Sequence, residues 1–119
     1  MTPTDEILPL RKRVSEWART FAEASDNTTS IALATSGLRT ALKALREALH
    51  PRYRTASFVP GLCYDALLWT PSANMTPERR RELASMLEYV IVQEKELALM
   101  TVKAELLRLG YAVTPLVDE

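Results

Sequence analysis

Apolar residues recur at three- and four-residue steps along most of this chain, the spacing that lines one face of an α-helix. Ile7, Leu10, Val14, Trp17, Phe21 and Ala24 form a first stripe. Thr4 can cap it, and Asp5 and Glu6 suit the positive end of the helix dipole. Pro9 is the complication, because proline inside a helix loses a hydrogen bond, and it offers an alternative start. The polar run from Ser25 to Ser30 breaks the pattern and supplies a choice of caps. A second stripe follows through Ile31, Ala34, Leu38, Ala41, Leu45 and Ala48, flanked by Leu42 and Leu49 and stopped at His50–Pro51. Within it, Thr35, Ser36 and Gly37 mark a weak spot or a close-packing site. Two helices of similar length, over about 5–25 and 30–50, joined by a short link, predict an antiparallel hairpin.

The pattern changes over 51–75, where Pro51, Pro60 and Pro71 interrupt it and Gly61 follows Pro60 as a turn signal. Four of the eight aromatic residues, Tyr53, Phe58, Tyr64 and Trp69, nevertheless fall here. Disordered linkers are poor in aromatics, so this segment reads as an ordered excursion packed on the helices, with a short helix over about 62–69. Phe58 and Trp69 are expected to be mostly buried, against the last helix or against a partner. That last helix has the clearest boundaries: Thr76 as cap, Pro77 in the first turn, and Gly110 as the stop. No breaker separates them, so the sequence predicts one long helix over 77–109, about 50 Å at ~1.5 Å per residue.

Such a helix would be apolar on two sides. Leu83, Leu87, Val90, Leu97, Ala98 and Thr101 share one face, bordered by Ile91. Val92, Leu99 and Leu106 recur every seven residues on nearly the opposite one. A helix with two apolar sides has two neighbours. A helix of about 50 Å also overhangs partners of about 30 Å, so the second face predicts self-association through Val92, Leu99 and Leu106. Glu94 lies inside the first stripe and needs an ion pair, a solvated groove or a ligand.

Charge and composition narrow the function classes. The 119 residues carry no net charge, with 15 basic and 15 acidic side chains, so no global field recruits nucleic acid or membrane. Locally, Arg39, Lys43, Arg46 and His50 stack along one face of the second helix, and Arg52, Tyr53 and Arg54 extend that ridge. It could neutralise phosphates with Tyr53 stacking on a base, or it is a solvated face near a helix C-terminus. The runs Arg11–Arg13 and Arg79–Arg81 read as solvated, since three consecutive helical residues cannot point one way.

Catalytic signals are thin. A single histidine and a single cysteine, Cys63, leave no Cys/His zinc set and no disulfide. With three glycines there is no phosphate loop, and no cofactor is expected. No basic segment followed by an apolar run opens the chain, and no stretch reaches ~18 apolar residues, so the expectation is a cytoplasmic protein without a membrane. The fold expected is a single all-α domain over 1–119, a helical bundle built from the hairpin, the short helix and the long one. Its leading function is a non-enzymatic interaction module (adaptor, inhibitor or assembly subunit) that binds itself and another protein. The first alternative is a nucleic-acid-binding regulator using the ridge. The second is a small-ligand or enzyme site lined by Tyr53, Phe58, Tyr64 and Trp69, with Glu94 or Asp65 as its polar group.

Overall fold

The computed structural model describes residues 3–25, 27–49, 54–71, 74–89 and 99–113, with side chains from Ile7, Asn27, Val59, Asn74 and Thr101 onward in those segments. It is all-helical over these residues: α1 (Pro3–Glu23), α2 (Thr28–Leu49), α3 (Arg54–Trp69), α4 (Pro77–Leu87) and α5 (Leu99–Arg108). The radius of gyration is 13.5 Å, the value for a compact domain of this length, about 13–14 Å. Among the described residues no helix is long and apolar enough to cross a membrane.

The helices form a closed series of neighbours. α4 packs on α1, α1 on α2, α2 on α3, and α3 on α5. Arg108 of α5 then returns to Glu82 of α4 at 2.9 Å. Inside this ring lie Val14 and Phe21 from α1, Leu38, Leu42 and Leu45 from α2, and Leu67 from α3. Leu83 and Leu87 of α4 and Val102 and Leu106 of α5 complete the core. The stripe of α2 is buried as its periodicity predicts, from Ile31 to Leu49. On α1 Ile7, Val14 and Phe21 are buried as the stripe predicts and Ala18 joins them, whereas Trp17 sits at the edge with its ring against Gly37. A Cβ at Gly37 would stand 2.3 Å from the Trp17 ring, so this glycine is the notch that lets the ring approach.

The helix ends follow local chemistry. Asn27 Oδ1 accepts the Ser30 N–H at 2.7 Å, which selects Asn27 as the cap of α2. Thr76 Oγ1 accepts the Arg79 N–H, with Pro77 in the first turn of α4. At the end of α5 the Tyr111 N–H reaches Leu106 O at 2.9 Å and the Gly110 N–H reaches Leu107 O at 3.0 Å. Gly110 has φ 85° there, completing a Schellman motif that an L side chain would strain.

Three expectations are corrected. The helix over 77–109 is not one rod. In a straight helix Glu82 and Arg108 would lie about 39 Å apart, yet they form an ion pair, and Tyr111 Oη donates to Arg79 O at 3.2 Å. α4 and α5 are therefore two helices lying side by side, and α4 ends in a π-type turn at Glu88 and Tyr89. The short helix expected over 62–69 is instead the sixteen-residue α3, which runs straight through Pro60. Burial of Leu62, Cys63, Ala66 and Leu67 outweighs the missing hydrogen bond, a cost of about 3 kcal/mol. Likewise α1 begins at Pro3 and contains Pro9.

The third correction is Arg80. Read as solvated, it is 1% exposed and heads the large buried side chains. Its guanidinium donates to Phe21 O at 3.1 Å, Ala24 O at 2.9 Å and Met75 O at 2.6 Å. It thereby ties the C-terminal end of α1, the segment before α4 and α4 itself together. Carbonyls at a helix end lack partners within the helix, and a guanidinium with five donors is suited to collect them.

Candidate functional site

Among the described residues, the most exposed aromatic side chain, Trp69, stands at the C-terminal end of α3. Leu67, Leu68 and Trp69 are consecutive, so a helix cannot turn all three to one side. Leu67 enters the core at 2% exposure, and Leu68 and Trp69 remain 40% and 63% exposed. The backbone beneath them is held on both sides. The Thr70 N–H continues the helical ladder to Ala66 O at 3.1 Å. Thr70 itself is buried, and its Oγ1 accepts the Ala112 N–H at 2.7 Å, pinning the segment after α5 to the end of α3.

Of the two covers expected for Trp69, the last helix or a partner, the last helix does not provide one: the residue is 63% exposed within its own chain. Because α5 is a separate element with its own rotation, its core face is Val102, Leu106 and Leu109, and the Trp69 ring is left in solvent. The same rotation changes the reading of the self-association seam. Leu106, assigned to a second chain, is fully buried against the core of its own, whereas Thr101, assigned to the core face, is exposed. Val92 and Glu94 lie outside the described residues, as does the side chain of Leu99.

The basic ridge is assembled only in part. Lys43 is exposed and Arg39 is half-buried on α2. Arg46 is drawn away from solvent: its guanidinium lies 5.6 Å from the centroid of the half-buried Tyr64 ring. The Arg46 stem crosses Gly61, with Cδ 3.0 Å from where a Cβ would stand. Arg46 is thus part of the α2–α3 contact, through a cation–π interaction and the packing of its methylenes. His50, Arg52 and Tyr53 lie outside the described residues, as do the side chains of Arg54 and Phe58. Tyr64 and Trp69 are therefore not brought together as one pocket wall: Tyr64 serves Arg46, and Trp69 faces outward.

Cys63 is fully buried, and burial pushes its thiol up from 9.0 to about 12. A nucleophile needs the thiolate, so this cysteine is an apolar core group at neutral pH. Among the described residues no group of three or more His, Cys, Asp or Glu is placed to hold a metal ion.

Two polar features rest in part on partners distant in sequence, which spacing does not show. One is the Arg80 clamp. The other is the exposed triad in which Arg108 pairs with Glu105 at 2.8 Å and with Glu82 at 2.9 Å. The hydrogen bond from Arg108 holds the Glu105 carboxyl below the usual carboxylate range. An open groove of about 480 Å³ runs beside this triad between α4 and α5. For the α3 end a signal did exist, namely the apolar triplet that one helical face cannot absorb.

Comparison with protein families, curated proteins and solved structures finds no match for this chain.

Proposed function

We propose that this chain is a non-enzymatic helical interaction module that docks through the C-terminal end of α3, with Trp69 as its anchor and a second copy of the chain as its occupant. One observation carries the reading: Trp69 is 63% exposed on a backbone fixed by the buried Leu67 and Thr70. A large aromatic presented on an ordered segment is preorganised for binding, because little freedom is lost when it is covered. Tryptophan is among the residues that dominate interface energetics, with truncations often costing 2 kcal/mol or more. Leu68, 40% exposed beside it, extends the apolar area. The α1–α2 pair, taken as an antiparallel hairpin locked by Trp17 over Gly37, serves as the scaffold behind this end. The ridge reading is the weaker one, since Arg46 is engaged with Tyr64 and only Arg39 and Lys43 remain as its described cations.

Sedimentation velocity of wild type and Trp69→Glu tests the proposal. The wild type should sediment above the monomer at tens of micromolar and the variant as a monomer, with closely similar thermal midpoints. In a Trp17→Phe background, Trp69 emission should shift to the blue as concentration rises. A wild type that stays monomeric to several hundred micromolar, with red-shifted emission independent of concentration, overturns docking of a second copy.

A further inference from the structure

We draw no further inference here: the strongest candidate, the open groove between α4 and α5 lined by Arg81, Met86, Tyr89 and Leu109, is an exposed surface patch and nothing in the structure shows what covers it.

Discussion

The junction of α1 with α4 and the far end of α3 treat their residues in opposite ways. At the junction an arginine is 1% exposed; at the end of α3 a tryptophan is 63% exposed. Hydrophobicity alone would exchange them. What decides the first is the set of three main-chain carbonyls, Phe21 O, Ala24 O and Met75 O, which water would otherwise have to reach. Buried polar groups are tolerated when they are hydrogen-bonded, and here the guanidinium and the carbonyls satisfy each other. What decides the second is helix geometry: Leu67 takes the inward position, so its neighbours cannot. Burial in a small bundle thus follows from which positions face inward and from which backbone groups need partners, with hydrophobicity acting inside those constraints.

The sharpest way to break this comparison is to truncate both residues. Arg80→Met should destabilise by about 3–5 kcal/mol, because three buried or part-buried carbonyls lose the guanidinium that donates to them. The thermal midpoint should drop by on the order of 10 °C or more. Arg80→Lys should recover part of the loss, since one ammonium cannot span all three acceptors with a fork's geometry. Trp69→Ala should cost only about 1 kcal/mol, against the ~3–5 kcal/mol typical of a buried ring. Thermal melts of the three variants decide it. If Trp69→Ala proves more damaging than Arg80→Met, the account of both regions is wrong.

The next effect is one of pH. Burial raises the Cys63 thiol from 9.0 to about 12 and raises the Tyr111 phenol as well. For a group raised on folding, the stabilisation is complete below its unfolded value and lost as pH climbs towards the folded one. Stability should therefore fall above pH ~9, by about 1.4 kcal/mol per unit for Cys63 alone. Urea melts at pH 8, 9.5 and 10.5 measure the slope. Cys63→Ala should flatten it, and an equal slope in that variant would assign the loss elsewhere.

Much of the fold is legible in the chain because local and tertiary preferences agree there. The α2 stripe, the Thr76–Pro77 start and the Gly110 stop each depend on a few adjacent residues, and each is found in place. The failures come where a distant partner decides. Pro60 is a local breaker, yet the packing of α3 on α2 keeps the helix running through it. No glycine or proline stands between Pro77 and Gly110, so nothing in the spacing announces that α4 and α5 are separate helices, and the sequence predicts a two-faced rod. Once α5 stands alone, Leu106 needs no second chain. Arg80 is illegible for the same reason, since two of its three carbonyl partners lie more than fifty residues away at the C-terminal end of α1 and just beyond it.

A smaller effect tests the close packing of α1 on α2. Alanine in place of glycine inside a helix gains up to about 1 kcal/mol of propensity. At Gly37 the added Cβ would fall 2.3 Å from the Trp17 ring, so the ring must swing outward. Overpacking of this kind costs about 1–3 kcal/mol. Gly37→Ala should therefore be neutral to destabilising in the wild type and stabilising by about 1 kcal/mol in a Trp17→Ala background. The change of sign in a double-mutant cycle is the readout. Additive effects would mean that the ring does not depend on the notch.

The smallest effect concerns the triad that joins α5 to α4. Arg108, Glu105 and Glu82 are all well exposed to solvent, at 58%, 42% and 49% side-chain exposure. Exposed pairs gain little, because water screens them and two long side chains must be held in place. The Arg108 hydrogen bond lowers the Glu105 carboxyl from its ordinary value. A group lowered on folding stabilises above its unfolded value, and that contribution disappears as pH falls through the depressed one. Arg108→Gln should accordingly lower the thermal midpoint by no more than about 2 °C at neutral pH and low salt, with the difference vanishing near 1 M salt. It should also shrink on acidification through the carboxylate range. A drop comparable to that of Arg80→Met would show that α5 is held by its surface charges, and would remove the contrast between a clamp made in the core and a pair made in water.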